Sequence, residues 1–261
     1  MTAAVAAIGE SGVRRLSVLG GLARFAFRVA RSAGRLTRAG RLVTLRVLIN
    51  QIRFTALQAV GLVTLLAALL SFLVIAQSTQ QLGRFGALER VGTIMVVVVI
   101  RELGPLLTAL IVVSRSGTAI AAELATNRVL GEVTALEAMG INPDIYLVLP
   151  RVLGCIVSVA CLMILFDSVA LVAGYIGAAS TGMQLARYVQ IVLAELAPKD
   201  VIITVAKGIS FGAAVALFCS YHGLAVTKGP TEIPQAVTRG VIATVVAIFV
   251  MSAVFVGVAA A

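Results

Sequence analysis

The chain has 261 residues, 60% of them hydrophobic and 12% charged, with a formal net charge of +10. So apolar a composition excludes a soluble domain built around one core and belongs to proteins that cross a membrane several times. Residues 1–53 carry ten arginines against the single Glu10, which points to anionic lipid at a cytoplasmic membrane face rather than to nucleic acid.

Residues 1–53 contain no compact apolar stretch followed by a small-residue cleavage site, so the segment is expected to stay on the protein. Within it Arg24, Arg28, Arg31, Arg35 and Arg38 recur at steps of three and four, which gathers them on one stripe of a helix. Val18, Leu22, Phe25, Val29 and Leu36 fall on the other side. The pattern predicts an amphipathic helix lying in the membrane interface, arginines toward phosphates and apolar face toward acyl chains. A basic helix seated on a partner protein is the alternative.

From residue 54 onward the chain reads as one membrane domain, 54–261. Residues 54–76 are uncharged and long enough to cross about 30 Å of hydrocarbon as a helix. Residues 77–90 are polar and read as an external loop. Residues 91–126 are apolar apart from Arg101, Glu102, Arg115 and Glu123, and too long for one upright crossing. Pro105 predicts a kink there, because it lacks the N–H that would bond the Arg101 carbonyl. Residues 127–150 leave the membrane, with a short helix through Glu132, Val133, Leu136 and Met139 stopped by Gly140 and the Asn142-Pro143-Asp144 turn.

A third span covers 152–179 and carries Asp167; 183–196 suits a short amphipathic helix on the far surface. The fourth span, 201–221, carries Lys207, and an uncharged fifth, 241–261, follows a loop at 222–240. The fold class is therefore an all-α integral membrane protein of five transmembrane helices, with an N-terminal interfacial helix and a cytoplasmic helical segment between the second and third spans. With the N-terminus inside, the cytoplasmic segments hold fifteen Lys or Arg and the external loops four, namely Arg84, Arg90, Arg187 and Lys199. The excess predicts a cytoplasmic N-terminus and a C-terminus on the outer side.

An ionisable side chain at membrane depth is costly unless paired or hydrated, which makes Arg101, Glu102 and Lys207 the leading site candidates. Two cations beside an apolar cavity suit a phosphate headgroup with acyl tails, Glu102 holding the arginine when no ligand is present. An Arg101–Glu102 or Glu102–Lys207 pair that only locks helices together is the competing reading. Asp167 either makes a helix–helix hydrogen bond or lines the pocket. Arg115 and Glu123, near the inner boundary, are expected to snorkel or to meet a cytoplasmic partner. Cys155, Cys161 and Cys219 fall in apolar runs and His222 is the single histidine, so neither a disulfide, a metal site nor a Ser-His-Asp triad is expected. No GxxxxGK[ST] run occurs, so ATP energy would have to arrive from another subunit.

The run Arg101-Glu102-Leu103-Gly104-Pro105, then SRSGTAIAAEL from Ser114 to Leu124, ALEAMGINP from Ala135 to Pro143, and YLVLPR from Tyr146 to Arg151 closely resembles the MlaE/YrbE family. These are the permease subunits of MCE-associated ABC transporters that move phospholipid between bacterial membranes. The resemblance implies a multi-pass protein of the bacterial inner membrane acting as a homodimer. Its implied partners are two cytoplasmic ATPase subunits that hold ATP and Mg, a periplasmic hexamer of an MCE-domain protein, and a small STAS-domain subunit on the ATPase. It further implies a lipid cavity at the dimer interface with Arg101 and Glu102 at the headgroup, Lys207 carried over more loosely. Glu132, Leu136, Glu137, Met139, Gly140, Pro143 and Asp144 would form the coupling segment seated on the ATPase, which agrees with a short cytoplasmic helix able to pass a rigid-body movement into the membrane. Sterol or another hydrophobic molecule is the alternative cargo. An ion-coupled secondary carrier built on Arg101, Glu102 and Lys207 is the rival class, disfavoured by the missing inverted repeat.

Overall fold

A computed structural model describes residues 20–31, 49–180, 182–227 and 229–260, and every regular element among them is helical. Eight helices account for the architecture. The first, α1, covers 20–31; α2 is Ile49–Arg84, α3 Arg90–Val129, and α5 Asp144–Ala179. The short α4, Glu132–Ala138, joins α3 to α5. On the opposite face α6, Leu185–Glu195, joins α5 to α7, Pro198–Leu224. A 3-10 turn at Pro230–Glu232 leads into α8, Ile233–Ala260. Five of these, α2, α3, α5, α7 and α8, are long and apolar enough to cross a membrane.

The centre of the bundle is α5, flanked by α2 and α7. The buried face of α2 repeats every four residues, Ala59, Val63, Ala67, Ser71, Ile75 and Thr79, a narrow ridge of small and branched side chains that lets two backbones approach closely. Gly177 is where they meet, since a Cβ there would stand 2.7 Å from the Phe72 carbonyl oxygen. Gly212 does the same between α7 and α5, a Cβ falling 2.7 Å from the Cys155 carbonyl oxygen. In lipid, where apolar surface gains nothing by leaving its surroundings, such close backbone packing drives association.

Helix ends differ from the sequence expectation where polar residues continue a helix beyond the hydrocarbon. Residues 77–90 are not all loop: α2 runs on to Arg84 and breaks only at the turn containing Gly86, whose φ of 67° favours glycine. The third crossing starts at Asp144 rather than at 152, and the fifth begins well before 241. The kink expected at Pro105 takes the form of π-helical turns over Ile94–Leu103, immediately before Gly104-Pro105. Another π-helical stretch, Asp144–Val148, precedes Pro150 in the same way, while Arg53–Leu57 and Val113–Gly117 are π-helical with no proline in the turn that follows. Each proline removes a donor from the turn before it, and a wider turn spreads the misfit.

The N-terminal helix is amphipathic as expected, and its apolar face is seated on the bundle. Leu22, Phe25 and Val29 are buried, and Phe25 and Val29 pack into a cluster with Ile120, Leu124, Val133 and Leu147. Phe25 also meets Tyr221 edge to face at 5.8 Å. The reason is competition for the same surface: aromatic and branched side chains on the bundle's inner end would otherwise be bare, and α1 covers them. Arg24, Arg28 and Arg31 remain exposed. Arg35 and Arg38 lie outside the described residues.

Candidate functional site

Arg101 and Glu102 are neighbours on α3, yet they do not pair with each other. Both reach α7, where residues of opposite charge wait two turns apart. Asp200 Oδ1 lies 2.6 Å from Arg101 Nε, and Lys207 Nζ lies 2.8 Å from Glu102 Oε1. A seven-residue spacing returns to the same face of a helix, so Asp200 and Lys207 form a charge ladder complementary to the Arg-Glu dipeptide. The Lys207 ammonium also donates to the Arg101 carbonyl at 2.6 Å. That carbonyl is the one left without its i+4 donor by Pro105, so proline and lysine complete each other's geometry.

The ladder is closed by two further contacts. Ser252 Oγ on α8 donates to Glu102 Oε2 at 3.1 Å, which ties the fifth span to the site. Asp200 Oδ2 accepts from the Ala197 N–H at 2.8 Å, capping the start of α7, where Pro198 occupies the first turn. Two cations and two carboxylates make the group neutral overall, the condition under which charges are tolerated at membrane depth. Lys207 and Asp200 are each 1% exposed, whereas the Arg101 side chain is 24% and the Glu102 side chain 31% exposed. The dipeptide on α3 is thus the accessible side of the ladder, and α7 is its buried backing.

Asp167 stands apart from this ladder. Its Oδ1 is buried with no hydrogen-bond partner among the described residues, and it lies against the Gly104 backbone, where a Cβ would be 2.9 Å away. Among the sequence candidates, then, Arg101, Glu102 and Lys207 come together and Asp167 approaches the following turn. Lys207 is not an open cavity wall: Glu102 and the Arg101 carbonyl occupy it. Sequence reasoning missed Asp200 and Ser252. The Pro198-x-Asp200 helix start, and the seven-residue step from Asp200 to Lys207, were the signals available for the first; a serine in a span gives none.

On the opposite face, α4 starts after Gly131 (φ 79°) and ends before Gly140 (φ 76°), both left-handed positions that bracket one short helix. Val133 is buried and Leu136 half-buried, which seats α4 on the bundle, while Glu132, Glu137, Met139 and Gly140 are exposed. Pro143 and Asp144 are half-buried, and the Asp144 N–H donates to Asn142 Oδ1 at 2.9 Å. Beside α4 lies a groove of about 630 Å³ lined by Phe25, Arg28, Arg128, Glu137, Asp144 and Tyr221 among others. Arg28 and Asp144 approach to 3.9 Å across it. The N-terminal helix and the segment around α4 are therefore one surface, although 100 residues separate them in sequence. Arg115 and Glu123 are engaged inside the chain: Arg115 Nη1 donates to the Gln58 carbonyl at 2.7 Å, and Glu123 pairs with Arg151 at 2.8 Å.

Known proteins resemble this chain over nearly the whole membrane domain. The sequence profile described as Permease MlaE matches residues 48–258. A probable ABC transporter permease protein of Rickettsia prowazekii is 32% identical over 199 residues, covering 76% of this chain and 77% of that one. One from Synechocystis is 26% identical over 203 residues, with 77% of each chain covered. The chloroplastic protein TRIGALACTOSYLDIACYLGLYCEROL 1 of Arabidopsis thaliana is 25% identical over 203 residues, 77% of this chain and 58% of that protein. With that profile matched over residues 48–258 and five helices long and apolar enough to cross a membrane, the chain belongs to the MlaE permease family.

Proposed function

We propose that the protein is the membrane subunit of an ABC transporter that carries phospholipid, with ATP and Mg held by a partner ATPase. The observation that carries this reading is the neutral Arg101–Asp200 and Glu102–Lys207 ladder between helices long and apolar enough to cross a membrane, accessible from the Arg101 and Glu102 side. A lipid phosphate arriving at Arg101 competes with Asp200 for the guanidinium, and Glu102 keeps Lys207 neutralised while it does so. Asp167, against Gly104, lines the adjoining turn. Acyl chains would occupy apolar surface between two copies of the chain, a homodimer, with an MCE-domain hexamer receiving or delivering lipid on the periplasmic side. The Arabidopsis relative is named for a galactolipid, which supports a lipid cargo.

Movement enters at α4. Met139 and Ile141 are exposed apolar side chains beside Glu132 and Glu137, a surface fit for docking a cytoplasmic ATPase, with a STAS-domain subunit bound to that ATPase in turn. The protein would lie in the bacterial inner membrane with its N-terminus and α4 in the cytoplasm and its C-terminus in the periplasm. The test is purification of the assembled complex from bacterial membranes, with mass spectrometry of retained lipid. Phospholipid enriched with wild-type protein is the expected result; a sterol or other hydrophobic molecule in its place would replace the cargo. Met139→Asp should lower ATPase co-purification about tenfold or more, as loss of an apolar anchor at an interface does, and unchanged recovery would remove α4 from the docking surface.

A further inference from the structure

A second site lies on the face opposite α4, where the end of α2 meets the start of α6. The cleft there encloses about 690 Å³, and Thr79, Gln80, Arg84, Leu88, Gln184 and Arg187 line it. Two guanidinium groups from different elements thus border one concavity, and neither has a carboxylate within ion-pair distance among the described residues. Nearby acids do not neutralise them: Glu195 accepts from the Thr93 hydroxyl at 3.0 Å, and Glu89 forms no ion pair with either.

Both the depth and the flanks of the cleft suit a bilayer surface. Thr79 to Arg84 follow the uncharged run that ends at Ala76, so at 1.5 Å per residue they rise about 5 to 12 Å beyond the hydrocarbon, into the headgroup layer. Phe85, next to Arg84, is 81% exposed. On α6, Leu185, Val189 and Leu193 form an exposed apolar stripe at steps of four, while Tyr188 and Val192 on the adjoining face are buried. The Tyr188 hydroxyl donates to the Leu171 carbonyl at 3.1 Å, and burial pushes this phenol up to about 12, so it stays protonated and holds α6 at all ordinary pH. A fixed helix with an uncovered apolar stripe on one face and Arg187 on the opposite one is built to rest in a membrane surface.

We propose that the α2–α6 cleft binds the phosphate of a phospholipid headgroup in the adjacent leaflet, with Arg84 and Arg187 as its ligands and the α6 stripe against the acyl chains. Arginine presents paired N–H groups that match phosphate oxygens, and Gln80 and Gln184 add neutral donors at the rim. The site needs the membrane placement of the five helices but not the transport reading, because it lies apart from the Arg101 ladder.

The test places a photoreactive phenylalanine analogue at Gln184 in the full chain, expressed with its native partners in bacterial membranes whose phospholipid carries radioactive phosphorus. Illumination should transfer label to the protein. Arg84→Gln with Arg187→Gln should cut that transfer about twenty-five-fold, each basic side chain at a lipid surface contributing roughly fivefold. The Arg84→Lys, Arg187→Lys variant should retain most of it, and an excess of inorganic phosphate should not compete. Crosslinking to a protein alone, label unchanged in the double Gln variant, or competition by inorganic phosphate would each overturn the proposal. Competition by inorganic phosphate and the identity of the crosslinked partner are read on the wild-type chain, so the proposal can be overturned even if a variant fails to insert. Retained lipid and ATPase recovery in the purified complex, measured alongside, report separately on the Arg101 site.

Discussion

Removing the Glu102 carboxylate leaves the Lys207 ammonium, 1% exposed, with a backbone carbonyl as its remaining partner and an uncompensated charge in an apolar bundle. Glu102→Gln should therefore cost roughly 3 kcal/mol, the lower end for breaking a buried pair, read as a lower unfolding midpoint in detergent. Adding Lys207→Met should recover most of the loss, because a neutral side chain of similar length needs no partner. Equal destabilisation in single and double variants would show that packing, not charge, holds this contact. Arg101, Glu102 and Lys207 were legible in the sequence because a charge inside an apolar run is anomalous by itself. Asp200 was not, since in the sequence it stands in a polar stretch just before the predicted fourth span, where an acid is ordinary. That Lys207 serves Glu102 rather than an open cavity depends on the face each helix turns to the other, which periodicity constrains but does not decide.

Among the elements, the stretch from Ile94 to Gly117 shows how backbone and side chain share one task. Pro105 withholds a donor from Arg101, the helix widens into π turns over Ile94–Leu103, and Lys207 supplies the missing hydrogen bond from another helix. Pro105→Ala restores an N–H that competes for the Arg101 carbonyl. Amide hydrogen exchange over residues 101–106 should then slow about fivefold, the effect of one added backbone hydrogen bond worth about 1 kcal/mol, and the change should be absent at the Pro150 turn. Unchanged exchange would mean that the π geometry is imposed by neighbouring helices and not by the proline. The sequence marked where the helix is disturbed; the form of the disturbance came from packing, as did the extension of α2 to Arg84. Composition signals the end of hydrocarbon, whereas a helix stops only where its hydrogen bonding does, here beside Gly86.

At the scale of the whole molecule, α5 is the shared wall of the bundle, and the two faces carry different equipment. One presents α1, α4 and their groove; the other presents α6 and the Arg84–Arg187 cleft. The distribution of fifteen Lys or Arg against four is the basis on which we propose that the α4 face is cytoplasmic. With Cys155, Cys161 and Cys219 replaced by alanine, Gln190→Cys should react with a membrane-impermeant maleimide from the outside, and Thr134→Cys only after the membrane is opened. Reversed labelling would invert the orientation and with it the side on which an ATPase can dock. The arginine stripe of α1 predicted an amphipathic helix correctly, but its seat on Ile120, Leu124, Val133 and Leu147 was beyond reach. Lipid and protein interior are equally apolar, so hydrophobic periodicity cannot tell which of them covers a face.

By itself the sequence determined the number of crossings, their approximate limits, the family, and the residues whose charge is out of place. Each of these follows from local physics: hydrocarbon thickness sets helix length, and an ion in lipid is costly wherever it stands. Only the tertiary structure decided which charges satisfy one another, that Arg101 turns to Asp200 and Glu102 to Lys207 and Ser252, and that Arg84 and Arg187 share a cleft. Those outcomes depend on how helices distant in sequence are rotated and brought close, through contacts such as Gly177 on Phe72 and Gly212 on Cys155. Pairing between charges is a property of that arrangement and has no signature in either segment alone.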